Sequence, residues 1–413
     1  MAVDDLIPHL FKTECSKLVA VLSKTFGIEH IEVAEDITSD TFLLALHTWP
    51  YQGTPANPTA WLYTVAKNKV KNHLVRNRVF KEKVSERIRT DERQWDEIHI
   101  DLSDKNIADS QLQMLFTVCH PSISAEAQIC LALRILCGFG LDEIAVAFLT
   151  NKETIHKRLQ RAKEKLRESS IEIEFPDPFQ LNERLDTVLH TIYLLFSEGY
   201  YSESNNVIVR KELCVEAIQL AYLLLTNKLT NTHQTNALMS LMCFQSSRLE
   251  ARQSQDGHMI LYDEQDQQLW DTELVEKGFY YLQQASQWEV VSKYYMEASI
   301  AYWHTVSNAN MDKWPSILKL YGALQWVDDS PMVHLNRIYA LSKVHGNLAA
   351  LHEAEKINVP NTHFYFVLLA ELFKPIDLSK SKENLQKAIH LCKTDTEKAF
   401  LMRKVQGLDL EGE

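Results

Sequence analysis

The chain has 413 residues, more than a single hydrophobic core usually organises, and this length predicts two or three domains. Hydrophobic residues make up 46% and charged residues 24%, a balance that excludes a chain disordered throughout. The net charge of −12 excludes a protein that coats nucleic acid through overall positive charge. No apolar run approaches the roughly 20 residues that cross a bilayer, and the 7 cysteines have no repeated short spacing. We therefore expect a cytoplasmic protein without membrane association, metal site or cofactor.

Hydrophobic periodicity predicts an all-α fold. Apolar residues recur every three or four positions, whereas the strict alternation typical of half-buried strands is nearly absent. In the first part of the chain we predict helices at 5–26, 31–48, 58–79, 105–117, 124–137, 141–148 and 152–168.

Two segments interrupt this pattern. The polar stretch 81–109 is rich in acids and has the composition of a linker. At Phe175–Pro178, two prolines separated by one residue end any helix. These breaks divide the chain into a first domain at 1–80, an acidic linker at 81–109, a second domain at 110–174 and a helical domain at 179–413.

The last third of the chain is repetitive. Helix pairs are predicted near 332–357 and 362–392, with a final helix near 395–406. Ala340 and Ala370 occupy comparable places in successive first helices, Ala388 lies in a second helix and Pro360 falls between the pairs, which gives a period of about 30 to 34 residues. This spacing predicts a tetratricopeptide-like stack, and an irregular helical bundle is the alternative.

Two basic segments stand out in the acidic chain. The first lies between Trp61 and Phe80, where five bases occur without an acid. Helical geometry places Lys67 and Lys71 on one face and Lys69 away from them. The second lies between Lys152 and Arg167 and follows a short amphipathic helix that contains Ala145.

The segment 140–167 has the pattern of a helix-turn-helix. Ile155 and Leu159 predict the inner face of its second helix, and Thr150 or Asn151 can cap that helix. Its outer face carries donors and bases suited to a major groove. A surface hairpin with a solvated charged face is the alternative. The candidate DNA-binding residues here are Lys152, Thr154, His156, Lys157, Arg158 and Arg161.

Two sequence motifs in this order resemble extracytoplasmic-function sigma factors. Ala34-Glu35-Asp36 followed by Thr41-Phe42 is similar to the helix of their region two that binds RNA polymerase. Ala60-Trp61-Leu62-Tyr63 begins a helix that becomes basic, as in that region. The helix-turn-helix is similar to their domain four, including its closing Arg161–Arg167 segment.

The resemblance implies core RNA polymerase and promoter DNA as partners. It implies that polymerase is bound by Glu35, Asp36, Asp40 and Phe42. It also implies that the loop 52–57 and the helix after it bind the melted minus-ten element, with Asn57, Trp61, Tyr63, Lys67, Lys71, Arg76 and Arg78 as candidates. Packing of Trp61 and Tyr63 in the core is the alternative. The acidic linker would follow the RNA exit channel or remain solvated.

Further motifs resemble the sigma-factor subgroup with a long tetratricopeptide-like C-terminal extension. They are Phe116–Pro121, Leu195–Tyr200, Leu213–Ile218 and Leu335–Arg337. Such an extension implies a regulatory domain with a protein partner. No sequence motif for catalysis occurs, so we predict that the chain is not an enzyme. Two alternatives are a helix-turn-helix regulator that acts without polymerase, and an enzyme with its active site in the C-terminal domain.

Overall fold

The computed structural model describes residues 3–84, 100–148, 150–200, 207–252, 260, 264–287, 291–306, 310–357, 362–392 and 395–411. Within these ranges the secondary structure consists of eighteen α-helices and short 3-10 turns, without a strand. This agrees with the all-α prediction. The chain divides into two compact units, Met1–Leu194 and Leu195–Glu413.

Unit 1 contains seven helices and the first part of an eighth. Predicted and observed helices agree closely, and the predicted range 152–168 coincides with α7. The helices are α1 (Val3–Phe26), α2 (Ile31–Gln52), α3 (Pro58–Val84), α4 (Asp104–Val118), α5 (Ala125–Ile135), α6 (Leu141–Ala147), α7 (Lys152–Glu168) and α8 (Leu181–Tyr200).

Helix α2 is longer than the sequence predicts, because it continues through Pro50 to Gln52. Pro50 removes the hydrogen bond that a backbone N–H would donate to the preceding turn and its ring crowds the carbonyl four residues earlier, and the helix ends shortly after it. The helix ends at Gly53, whose φ of 84° is favourable for glycine and whose N–H donates to the Trp49 carbonyl.

The core of unit 1 includes residues beyond the predicted first domain. Ile100 and Ile107 pack with Val21, Ile37 and Val70 in one buried cluster. The predicted linker 81–109 overlaps the start of α4, where Ile107 is buried. Residues 85–99 of that linker lie outside the described residues.

Helix α8 belongs partly to unit 1, so the predicted start of the last domain at 179 does not coincide with the boundary between the units. Arg184 donates to the Phe116 carbonyl at 2.6 Å. The Thr191 hydroxyl donates to Oε1 of Gln128 at 2.7 Å, and Nε2 of Gln128 donates to the His120 carbonyl at 3.1 Å. These hydrogen bonds, of which the one between Thr191 and Gln128 is fully buried, fix α8 to the helices before it.

Unit 2 is a succession of packed helices. Consecutive buried clusters share helices: one joins α12, α13 and α14, the next α14, α15 and α16, and the last α16, α17 and α18. Ala340, Ala370 and Ala388 are buried, as their predicted packing role requires. The helices are α9 (Val207–Thr226), α10 (His233–Ser246), α11 (Thr272–Ser286), α12 (Lys293–Thr305), α13 (Lys313–Leu324), α14 (Pro331–His345), α15 (Asn347–Ala354), α16 (His363–Phe373), α17 (Leu378–Leu391) and α18 (Asp395–Glu411).

Candidate functional site

Helix α2 presents an exposed face that is both acidic and apolar. Asp36 and Asp40 are exposed on this helix, and so are Leu43 and Leu46, each about half exposed. Phe42 is instead buried and packs edge-on against Phe11, with ring centroids 5.0 Å apart. The sequence interpretation placed Phe42 on the binding surface and omitted the two leucines. The run of apolar residues 42–46 already indicated an exposed apolar surface on α2, because consecutive residues of a helix cannot all face one core.

Glu35 is not free on this face but belongs to an ion-pair network with α5 and α7. Its carboxylate accepts from Nε of Arg134 at 2.9 Å and from Nζ of Lys163 at 2.6 Å. On the preceding turn, Glu32 pairs with Arg167 and with Lys163. We call these five residues the acid–base cluster.

The charges in the acid–base cluster shift the ionisation of Glu32. Burial opposes ionisation of this carboxyl group, but a backbone hydrogen bond and the nearby Lys163 and Arg167 favour it more strongly. The pKa of Glu32 is consequently lowered.

The start of α3 is set by the loop that precedes it. Oδ1 of Asn57 accepts from the Ala60 N–H at 3.0 Å, and the Asn57 carbonyl accepts from the Trp61 N–H at 3.1 Å. Asn57 is exposed at this N-terminus. Trp61 is half-buried and packs edge-on against Trp49, with ring centroids 5.3 Å apart. Asn57 therefore lies on the surface, whereas part of the Trp61 ring packs against Trp49.

Tyr63 faces the interior of unit 1. Its hydroxyl donates to Oε2 of the buried Glu14 at 2.5 Å. Burial and the neighbouring negative charge of Glu14 raise the pKa of Tyr63. Its hydroxyl is thus already engaged inside the protein, which supports the core role that the sequence left open.

The described lysines of α3 have the arrangement that helical geometry predicts. Lys67 and Lys71 are exposed, whereas Lys69 turns toward α2 and pairs with Asp40 at 3.3 Å. The side chains of Arg76 and Arg78 lie outside the described residues. The exposed bases of α3 thus lie on the side away from Asp40.

Helices α6 and α7 are joined by a short turn with well-formed caps. Oε2 of Glu143 accepts from the Gly140 N–H at 2.5 Å at the start of α6. The Thr150 N–H donates to the Ala145 carbonyl at 2.9 Å, and Oδ1 of Asn151 caps α7 by accepting from the Thr154 N–H at 2.8 Å. Of the two candidates, Thr150 and Asn151, it is therefore Asn151 that caps α7.

The outer face of α7 is exposed and basic, while Ile155 and Leu159 are buried as predicted. Arg158 differs from its neighbours because it is half-buried and its Nη1 lies 3.8 Å from the Cys130 sulfur. Lys152 pairs with Asp142 of α6 at 2.8 Å in an exposed contact. The residues that present exposed side chains are Lys152, Thr154, His156, Lys157 and Arg161.

The cysteines are packing residues. All seven thiols are buried, and burial raises the pKa of Cys15, Cys119, Cys214 and Cys243 to about 12. Among the described residues, no group of three or more His, Cys, Asp or Glu side chains is arranged to hold a metal ion. In the same part of the chain, no helix has the length and apolar character needed to cross a membrane.

Comparison with known proteins defines the class of the N-terminal domain. Residues 14–79 match the family model of sigma-70 region 2, which implies binding to core RNA polymerase. This domain indicates a sigma factor, a class of protein that is typically not enzymatic. The match contains α2 and most of α3. It therefore includes the acidic and apolar face of α2 and the exposed bases of α3.

The rest of the chain is characterised by two further comparisons. Residues 184–286 match a family of unknown function, DUF6596. The chain is 30% identical over 390 residues to an uncharacterised protein of Rhizobium meliloti (strain 1021), across 92% of this chain and 91% of the relative. The chain therefore belongs to the same family as that protein, with a sigma-70 region 2 domain and a C-terminal extension. No solved structure matches it.

Proposed function

We propose that the protein is a sigma factor that binds core RNA polymerase and directs it to specific promoters. The observation that carries this proposal is the surface of the region 2 domain, where α2 exposes acids and leucines and α3 exposes bases. One surface suits a protein partner and the other suits a phosphate backbone.

The α2 surface is assigned to polymerase. Asp36 and Asp40 supply charge at its edge, and the half-exposed Leu43 and Leu46 supply the apolar area that a stable interface needs. Glu35 extends this surface once it is released from the acid–base cluster.

The loop 52–57 and the start of α3 are assigned to the melted minus-ten element. Unstacked bases are captured beside a positive track, and Lys67 and Lys71 provide such a track on one face of α3. Asn57 lies at the end of the loop, with an amide that can bond a base edge. Trp61 offers a partly exposed ring, and Arg76 and Arg78 would extend the track.

Helices α6 and α7 are assigned the role of a domain four helix-turn-helix that reads the minus-thirty-five element. Asn151 caps the first turn of α7, and the exposed Thr154, Lys157 and Arg161 lie on its outer face. Side chains from the N-terminal half of a recognition helix contact bases, and those further along contact phosphates.

Unit 2 is assigned a regulatory role as a tetratricopeptide-like domain with a protein partner. Consecutive hydrophobic clusters of unit 2 share a helix with one another, as in stacked repeats. We place the protein in the cytoplasm, with its polymerase and DNA.

Transcription in vitro tests the proposal. Full-length protein is combined with bacterial core polymerase and a library of promoter fragments, and initiation at defined sequences is expected only when the protein is present. DNA binding without stimulation of core polymerase would favour a helix-turn-helix regulator that acts alone. Turnover of a small metabolite without either activity would favour an enzyme with its site in unit 2.

A further inference from the structure

The acid–base cluster joins α2 and α7, two helices to which the proposed function assigns different binding partners. Glu35 lies on α2, which is assigned to polymerase, and Lys163 lies on α7, which is assigned to DNA. Their side chains are only 14% and 12% exposed. Charges at this depth need a partner, because loss of hydration is otherwise uncompensated. Arg134 of α5 adds a second bond to Glu35.

The same contact limits the distance between the two DNA-binding surfaces. Helix α3 packs on α2, with axes of packed helices about 10 Å apart, and α7 reaches α2 through Lys163. The helices assigned to DNA are thus on the order of 20 to 30 Å apart. The minus-ten and minus-thirty-five elements are separated by about 25 base pairs, or about 85 Å of duplex. This arrangement cannot contact both elements at once.

We propose that this arrangement is a closed state of unit 1, in which the acid–base cluster withholds Glu35 from core polymerase and holds α7 beside α2. The inference rests on the proposed function. Partly buried ion pairs suit a reversible contact, because their attraction is largely offset by the cost of desolvation. Polymerase that binds α2 competes with Lys163 and Arg134 for Glu35 and so shifts the protein toward an open state.

Charge reversal at Lys163 tests the closed state in the full-length protein. Lys163→Glu places a third negative charge beside Glu32 and Glu35 and should open the contact. The affinity for core polymerase is expected to rise about fivefold to tenfold, because a larger fraction of the protein is competent to bind. Lys163→Gln should give a smaller rise. Lys165→Glu is the matched control, since Lys165 is exposed on the same helix, and should leave the affinity unchanged.

Equal affinities of wild type, Lys163→Glu and Lys163→Gln for core polymerase would overturn the closed state while leaving the proposed function intact. If neither wild type nor any variant binds polymerase, the proposed function fails, and this inference fails with it. A variant that unfolds is recognised by circular dichroism, and Lys163→Gln then provides the comparison.

Cross-linking of the wild-type protein gives a second readout. A carbodiimide couples a carboxylate to an amine in direct contact, and Glu35 lies 2.6 Å from Lys163. The Glu35–Lys163 cross-linked peptide is expected in free protein and should fall at least fivefold with core polymerase present. Lys211 and Glu250 of unit 2, 2.5 Å apart, provide the internal reference. Undiminished Glu35–Lys163 cross-linking in the polymerase complex would overturn the inference.

Discussion

Glu14 and Tyr63 form a hydrogen bond between α1 and α3 inside unit 1. Glu14 also pairs with Lys17 at 2.8 Å, so its carboxylate retains one partner if the phenol is removed. This arrangement allows the packing role of Tyr63 to be separated from any role in DNA binding.

Replacing Tyr63 with phenylalanine should lower the free energy of unfolding by about 1 to 2 kcal/mol, because a buried carboxylate loses a donor. Promoter opening by polymerase should change little, because the hydroxyl faces Glu14. Urea unfolding and an opening assay measure the two effects. Tyr51→Phe is the control, since Tyr51 is 88% exposed. A large defect in opening with unchanged stability would contradict the packing role.

His304 makes the stability of unit 2 depend on pH. Burial of its imidazole, with the positive charges of Arg248 and Lys313, lowers the pKa of His304 to about 3. In the unfolded chain the pKa is about 6.5. As pH falls from about 6.5 toward 3, the unfolded state takes up a proton that the folded state refuses, and stability decreases.

Replacing His304 with asparagine should therefore flatten the loss of stability in acid. The contribution removed is at most about 1.4 kcal/mol per pH unit between pH 6.5 and 3. Urea unfolding at several pH values measures the slope for the wild type and the variant. His352→Asn, at an exposed position, should leave it unchanged. Parallel slopes for wild type and His304→Asn would exclude this contribution.

At the scale of elements, local sequence signals predict helices well but not the contacts between distant helices. The bounds of α7 followed from a capping residue and a regular apolar stripe, both of which are local. The end of α2 was missed because proline is a local signal for the end of a helix, whereas α2 continues through Pro50 to Gln52. Nothing in the sequence pairs Glu35 with Lys163, since that contact depends on how α2 and α7 pack.

The exposed face of α2 predicts a specific loss of polymerase binding. Leu46→Asp should reduce affinity for core polymerase at least tenfold, because it places a charge in the apolar part of the assigned interface. Stability should change by less than about 0.5 kcal/mol, since Leu46 is half exposed. Asp36→Lys should act in the same direction. Pull-down and urea unfolding measure these effects, and retention of full polymerase affinity by both variants would contradict the assignment of α2.

Substitutions on the outer face of α7 are expected to weaken promoter binding to an extent that depends on what each side chain contacts. Arg161 is exposed on its outer face, whereas Arg158 is half-buried against Cys130. Arg161→Ala should weaken promoter binding by the holoenzyme by about 1 to 3 kcal/mol if Arg161 contacts a base, and by less, without altered preference, if it contacts phosphate. Competition with mutated minus-thirty-five elements distinguishes these cases. Unchanged affinity of the Arg158→Ala, Arg161→Ala double variant would contradict the placement of DNA on this face.

At the scale of the whole molecule, α8 defines where the chain can be divided. Its first half is fixed to unit 1 through Arg184 and Thr191. Its last turn belongs to unit 2, where Tyr200 stacks on Phe196 and lies beneath the Arg252 guanidinium. The sequence placed the division at the two prolines before α8, because proline is a local signal, whereas the burial of α8 depends on tertiary packing.

Two truncations therefore have different outcomes. A chain ending at Glu174 lacks α8 and exposes the buried Gln128 and the apolar surface around Phe116, so its unit 1 should be destabilised by several kcal/mol. A chain ending at Tyr200 retains these contacts and should fold. If unit 2 is regulatory, promoter-dependent transcription by the chain ending at Tyr200 should differ from that of the full-length protein. Transcription with core polymerase, with and without cell extract, makes the comparison, and identical output under both conditions would exclude a regulatory role for unit 2.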